Sequence, residues 1–218
     1  MLLQHATWPE VEFYLESNKG IIVPIGSTEQ HGPTGLIGTD ALTAEVIGQR
    51  LGEVTGAFVA PTLNYGMAQH HMAFTGTVTL QPSTMIAVTR DIVMSLVRHG
   101  FERIFFVNGH GGNVPSVKAA FSEVQSELGE AKRLRDGGSN HPPDDVRLEL
   151  HNWWMGEKTT ALRKSLYGDR EGYHATPSEV AVTWFSFPEQ KRDVQLGPLE
   201  KVTRAYQGPE DFRKLFPD

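Results

Sequence analysis

The sequence predicts an α/β fold, a single three-layer domain over residues 1–218 built on a mostly parallel sheet. Short apolar runs bounded by Gly or Pro alternate along the chain with longer segments whose apolar residues recur at helical spacing, the pattern of strand, crossover helix and strand. The length, 218 residues, suits one such domain. Hydrophobic residues make up 39% and charged residues 21% of the chain, which leaves enough apolar surface for a core and excludes a largely disordered polymer.

The first strand is Gly20-Ile-Ile-Val-Pro-Ile-Gly26, an apolar run of the kind buried on both faces. Thr39 to Glu53 follows as a helix, with Leu42, Val46, Ile47 and Leu51 at helical spacing and Thr39 or Asp40 as N-cap. Ala57-Phe-Val-Ala60, ahead of Pro61, reads as the second strand, and the alternating residues 77–81 as a third. Ser83 begins a helix carrying Ile86, Ile92, Val93, Leu96 and Val97, which stops at His99-Gly100. Arg103-Ile-Phe-Phe-Val107 is the strongest strand; it runs into a glycine-rich turn and a helix from Val114 to Leu128, where Pro115 is tolerated in the first turn. Residues 136–145 have loop composition, Val146 to Leu150 alternates as a strand, and Ser178 to Phe187 forms a helix after Pro177. The tail from Pro188 receives no assignment.

Composition removes several classes of function. Lys and Arg number 20 against 26 Asp and Glu, a formal charge of −6; such a surface repels phosphate backbones, so no nucleic-acid partner is expected. Without cysteine, disulfides, thiolate zinc sites and cysteine nucleophiles are excluded, and any metal must sit on His, Asp and Glu. Met1 to Gly20 carries Glu10, Glu12 and Glu16 and lacks the form of a signal peptide, and no apolar run approaches the ~20 residues of a membrane span. A cytoplasmic protein with no membrane partner is expected.

In parallel sheets ligands gather beyond the carboxyl ends of the strands, and the polar clusters of this chain fall there. Gly26-Ser-Thr-Glu29-Gln-His31-Gly32 follows the first strand, with Asp40 at the next helix start. Two apart in an extended segment, Glu29 and His31 would point the same way, and Asp40 could return toward them, a donor set suited to zinc, manganese or iron. A plainer reading makes Asp40 a cap and His31 a hydrogen-bonded loop residue. Asn108-Gly-His110-Gly-Gly-Asn113 surrounds one imidazole with glycine, either to present it from a sharply bent backbone or simply to turn; it matches no phosphate loop. His174-Ala-Thr-Pro-Ser-Glu179 places a histidine before a helix and a carboxylate in its first turn, where Glu179 could serve only the helix dipole. Tyr65 to Thr77 contains His70-His71; adjacent side chains point apart, so at most one should face a site. Gly26-Ser27-Thr28-Glu29 is not the elbow of a serine hydrolase.

Together and in this order the clusters resemble the creatininase (creatinine amidohydrolase) family. The motifs are P-x-G-S-x-E-Q-H-G from Pro24, T-D at Thr39-Asp40, Y-G at Tyr65 with H-x-x-F-x-G-T from His71, H-G-F at His99, N-G-H-G-G-N at Asn108, and H-A-x-x-x-E from His174 to Glu179. The resemblance implies an α/β metal-dependent hydrolase of C–N bonds carrying two divalent ions, zinc, manganese or iron. It makes Glu29 and His110 ligands of one ion, His31 a ligand of the second, Asp40 the bridge, Glu179 a further ligand and His174 the catalytic histidine. It puts Tyr65, His71, Gly111, Trp153 and Trp154 on the substrate side, although a Trp pair after a strand is equally at home in a core or an interface. It also implies a homo-oligomer, a hexamer built from dimers. Many members continue past the position of Asp218 with a G-D-P-containing segment and a helix.

The departures bear on substrate. Where creatininase proper has tyrosine and then a metal-binding glutamate after N-G-H, this sequence has Gly111 and Gly112, and the serine expected after Y-G is Ala68. The glycine pair resembles a broader branch that includes formamide hydrolases and a peptide-trimming enzyme of cofactor maturation. The expected reaction is hydrolysis of an amide, formamide or cyclic amide by a metal-bound water, with His174 protonating the departing nitrogen. The alternatives are creatinine hydrolysis itself, a metallopeptidase or lactone hydrolase on the same metals, and a non-catalytic small-molecule-binding module.

Overall fold

The structure, a computed structural model, describes residues 1–135, 146–194 and 208–215. Among these residues one sheet contains β1 (Gly20–Ile25), β2 (Phe58–Val59), β3 (Arg103–Asn108) and β4 (Arg147–Asn152), all parallel and in the order β2-β1-β3-β4. Its helices are α1 (Trp8–Ser17), α2 (Thr39–Thr55), α3 (Pro82–Arg98), α4 (Val114–Arg135), α5 (Glu157–Tyr167), α6 (Pro177–Ser186) and α7 (Pro209–Leu215).

Alternation within the apolar strands builds the layers. Ile21, Val23 and Ile25 of β1 join Ile104 and Phe106 of β3 on one face, packed with Tyr14 of α1, Met85 and Val93 of α3, and Val117 and Val124 of α4. Ile22 and Val107 point the other way, toward Ile47 and Leu51 of α2 and Val182 of α6. Both faces are therefore covered, as parallel strands require. Within α2 the buried positions include four small residues, Ala41, Ala44, Gly48 and Gly52. A Cβ on Gly52 would stand 2.4 Å from Val59 Cγ2, so glycine lets this helix lie directly on the sheet.

Several expectations need correction. Residues 77–81 are not a strand: Val78 and Thr79 make single bridges to Thr28 and Gly66, because their neighbours are loops, which offer no continuous ladder. The N-cap of α2 is Gly38, and no side chain caps it; the Asp40 carboxylate is engaged elsewhere. Helices α1, α5 and α7 add to the elements expected from the sequence. The start of α1 carried a readable signal in Thr7 and Glu10, where the Thr7 N–H donates to Glu10 Oε2 at 2.6 Å. The expected loop at 136–145 and residues 195–207 of the unassigned tail lie outside the described residues. No helix among the described residues is long and apolar enough to cross a membrane.

The strand order places the site. From β1 the chain crosses to β2 on one side, while β3 lies on the other and leads outward to β4. The crevice at the carboxyl ends of β1 and β3 is thus a topological switch point, where the loops diverge and leave room for a ligand.

Candidate metal centre

Glu29 and His31 lie in the loop leaving β1, Asp40 in the first turn of α2, and His110 just beyond β3; all four side chains are buried. His31 Nδ1 lies 3.1 Å from the Glu29 carbonyl oxygen. That oxygen only accepts, so Nδ1 carries the hydrogen and, in the neutral ring, Nε2 presents a lone pair to Asp40 Oδ1, 2.9 Å away. His110 repeats the arrangement with its nitrogens exchanged. Its Nε2 donates to the Met67 carbonyl oxygen at 2.9 Å, which turns Nδ1 toward Asp40 Oδ2 at 2.9 Å and Glu29 Oε1 at 3.3 Å. Two backbone carbonyls therefore aim two imidazole lone pairs at two carboxylates.

Lone pairs and carboxylates at such distances repel unless a proton or a cation lies between them. Both Glu29 carboxylate oxygens, Asp40 Oδ2 and His31 Nε2 are buried and make no hydrogen bond. One ligand atom each from Glu29, His31 and Asp40 falls within 4.8 Å of the others. These hard and borderline donors, each imidazole fixed by a carbonyl behind it, fit divalent metal ions. Without metal, protons do the work. Burial opposes charging His31, yet the Asp40 carboxylate outweighs it and raises the ring to about 9. Burial likewise opposes ionising Glu29, but His110 and His71 hold its carboxyl well below the usual range.

A second group adjoins the first. His71 Nε2 lies 3.1 Å and His174 Nδ1 3.8 Å from Glu29 Oε1. Sequence reasoning placed His71 beside the substrate; it is buried against a predicted ligand. His70 is also close, its ring centroid 4.0 Å from that of His71 and 6.1 Å from that of His110. The rule that neighbours point apart holds for strands, whereas Gln69–His71 is a 3-10 turn. Burial keeps the His174 ring well below its ordinary value, with the fields of His31 and His71 adding to the effect. Phe212, buried in α7, sets its ring nearly perpendicular to His71 and His174, with centroids 4.7 and 6.1 Å away. The arrangement is secured by Arg213 Nη1 donating to the Ala73 carbonyl oxygen at 2.6 Å. No sequence signal marked Phe212.

Of the remaining candidates, Glu179 is near enough to His31 and Asp40 to act on both electrostatically, while the others are exposed or pack with the core. Glu179 forms a capping box, its Oε2 accepting from the Thr176 N–H at 2.7 Å, and burial raises its pKa. Trp153 is packed in the core beside Ile22, Val59 and Val107, with Trp154 against it. Tyr65 and Gly111 are exposed.

The family model for creatininase (creatinine amidohydrolase) matches residues 4–218. The chain belongs to the creatininase family. It is 33% identical over 167 residues to a creatinine amidohydrolase of Pseudomonas putida, covering 74% of this chain and 60% of that protein. It is 31% identical over 131 residues to a mycofactocin precursor peptide peptidase of Mycobacterium ulcerans (strain Agy99), covering 56% and 48%. The chain thus spans less than two thirds of either relative. A crystal structure of creatinine amidohydrolase (creatininase) matches the fold with a TM-score of 0.77 at 25% identity, covering 88% of this chain and 74% of that one. Solved creatininase structures include a manganese form and a Zn-Zn form.

Within this creatininase-family chain the glycine pair has unequal surroundings. A Cβ at Gly112 would stand 2.4 Å from His110 Nε2 and 2.5 Å from the Met67 carbonyl oxygen, whereas one at Gly111 would meet nothing within 4 Å. The bond that turns His110 toward the carboxylates occupies the space a side chain at 112 would need.

Proposed function

We propose that this chain is a metal-dependent hydrolase that cleaves the C–N bond of an amide, formamide or cyclic amide. The single observation that carries the reading is the pair of backbone carbonyls that turn His31 Nε2 and His110 Nδ1 toward Glu29 and Asp40. Glu29 and His110 would hold one divalent ion and His31 a second, with Asp40 between them; Glu179 and the substrate-side residues Tyr65, His71, Gly111, Trp153 and Trp154 remain part of the proposal. When bound, zinc, manganese or iron supplies Lewis acidity toward a carbonyl oxygen and lowers the pKa of water.

The chain's own residues manage the proton. His174 Nε2 faces the Gln30 carbonyl oxygen at 2.9 Å, which leaves Nδ1 open on the Glu29 side. Kept neutral by burial, that nitrogen can take a proton and return it to the departing amine. Phe212 supplies an apolar wall that strengthens these electrostatic contacts. Homo-oligomer formation belongs to the same reading and is supported by fully exposed aromatic side chains at Tyr173 and Phe185.

The test loads purified protein with zinc, manganese or iron, measures bound metal, and follows amine release from formamides, cyclic amides, lactams and short peptides. Bound metal with amine release from an amide is expected. Retention of no metal, with no release from any compound, would leave a binding module instead.

A further inference from the structure

The loop that carries His174 is closed at its base by side chains that the proposed reaction does not use. Glu171 and Ser178 stand at its two ends, and the Ser178 hydroxyl donates to Glu171 Oε1. The same oxygen accepts from Arg163 Nε at 2.6 Å, and Arg163 Nη1 donates to the Trp154 carbonyl oxygen at 2.8 Å. One planar guanidinium thus fixes the base of the loop to α5 and to the turn after β4.

Within the base the hydrogen bonds run in one direction. The Glu179 N–H donates to Thr176 Oγ1 at 3.3 Å, and Thr176 Oγ1 lies 3.1 Å from Ser178 Oγ. Since the Ser178 hydrogen is committed to Glu171, Thr176 is the donor of that pair. A chain of donors starting at the N-terminus of α6 therefore ends on the carboxylate of Glu171, itself paired with Arg163. Thr176 and Ser178 are buried, where loss of the final acceptor would leave a hydroxyl unpaired.

The backbone between the two ends is strained. Ala175 has a φ of 50°, and no other non-glycine residue among the described residues has a positive value. A residue with a Cβ keeps that conformation only where its surroundings outweigh the cost. Just before the turn, Tyr173 is fully exposed, while His174 points inward, its Nε2 2.9 Å from the Gln30 carbonyl oxygen and its Nδ1 3.8 Å from Glu29 Oε1. The Ala175 methyl faces Gly32, where a Cβ would stand 4.0 Å from it. The strained turn therefore lies against the loop that supplies Glu29 and His31.

We propose that Glu171, held by Arg163, is a positioning residue for His174: by closing residues 171–178 through Ser178 it keeps Ala175 in its left-handed turn and so sets the imidazole beside Glu29. This rests on the hydrolase reading and deepens it by naming what holds the proton-carrying side chain in place.

The experiment compares Glu171→Ala and Glu171→Gln in the full chain, loaded with zinc, by amide hydrogen exchange and by the kinetics of amine release. In Glu171→Ala, exchange should quicken at residues 171–178 and stay unchanged at residues 29–40, with zinc content as in the wild type. Its kcat should fall ~10²-fold, the cost of ~1 Å of misplacement, with KM little altered. Glu171→Gln keeps an oxygen for Ser178 and Arg163 and should recover most of that rate. In a His174→Ala background Glu171→Ala should remove nothing further, because both act through one imidazole. Losses that multiply, a wild-type kcat in Glu171→Ala, or unchanged exchange at residues 171–178 would overturn the proposal. Ser178→Ala cuts the same link while Thr176 still caps α6, and it carries the same outcomes should Glu171→Ala not fold. A wild-type chain that releases no amine from any compound would sink the hydrolase reading, and the exchange measurement would still decide whether Glu171 holds the loop.

Discussion

Asn108 grips the backbone of His110 from both sides: its Oδ1 accepts the His110 N–H at 3.1 Å and its Nδ2 donates to the His110 carbonyl oxygen at 2.6 Å. The same amide nitrogen reaches Asn152 Oδ1 at 2.8 Å, and the same oxygen accepts from Asn113 Nδ2 at 3.2 Å. Every polar position of a fully buried amide is used. Asn108→Asp would set an oxygen against two acceptors, a loss of about 1–3 kcal/mol for each buried group left unpaired. Denaturant unfolding of the metal-free protein should show that loss, and His110 should hold metal less well. Unchanged stability would mean that the turn does not depend on this amide.

Asp40 contacts both ligand-type histidines, at 2.9 Å to His31 Nε2 and 2.9 Å to His110 Nδ1. If it bridges the two proposed ions, Asp40→Ala should lose both, because a bridging carboxylate offsets the repulsion of two cations ~3.5–4 Å apart. His31→Ala should empty mainly one position. Elemental analysis after dialysis distinguishes these outcomes, and full occupancy in Asp40→Ala would remove the bridge.

His174→Ala should retain its metal and lose ~10²-fold or more in kcat, the usual contribution of a positioned acid or base. Equal turnover with equal metal content would take His174 out of the reaction.

In the proposed site, metal and protons would compete at His31. The folded-state value is raised from 6.5 to about 9 by Asp40 against the opposing effect of burial. A raised value stabilises the metal-free fold fully below pH 6.5, and the contribution is lost as pH rises through about 9. A bound ion would have to displace that proton, so manganese affinity should climb as pH rises toward about 9, including the window from 6.5 to 9, and level off above. Calorimetric titration in buffers of different ionisation enthalpy would count the protons released. Affinity that is flat or falls across that window would contradict the assignment of His31.

In the proposed reading, substrate choice would turn on the glycine pair. With Gly111 and Gly112 where creatininase proper carries a tyrosine and a glutamate, a small flat ring such as creatinine would lose orienting contacts, and a displacement of ~1 Å can cost ~10²-fold in rate. Creatinine should be turned over poorly and a bulkier or acyclic amide preferred. Gly111→Tyr should fold normally, since its Cβ meets open space, whereas Gly112→Glu should displace His110 from the Met67 carbonyl and lose metal. Creatinine hydrolysis by the wild type above ~10⁴ M⁻¹s⁻¹, and faster than every larger amide, would defeat this reading.

The amino-acid sequence by itself determined the strands β1, β2, β3 and β4, the helices α2, α3, α4 and α6, and the fact that Glu29, His31 and His110 follow strand ends. Such features depend on neighbours a few residues apart, through apolar period, proline and glycine, and these are written locally. Only the tertiary structure decided which atoms meet. Residues 77–81 alternate like a strand but have loops for neighbours, and Trp153 shares an imprecise aromatic signal between substrate wall and core until Ile22 and Val59 are seen against it. His71 and Phe212 entered the site through contacts spanning far more of the chain than any local pattern does. The assignment of ring hydrogens is the furthest from sequence. His31 faces a carbonyl, His71 an amide and His174 both. One residue type thus meets three sets of partners that only the folded backbone brings within hydrogen-bonding distance.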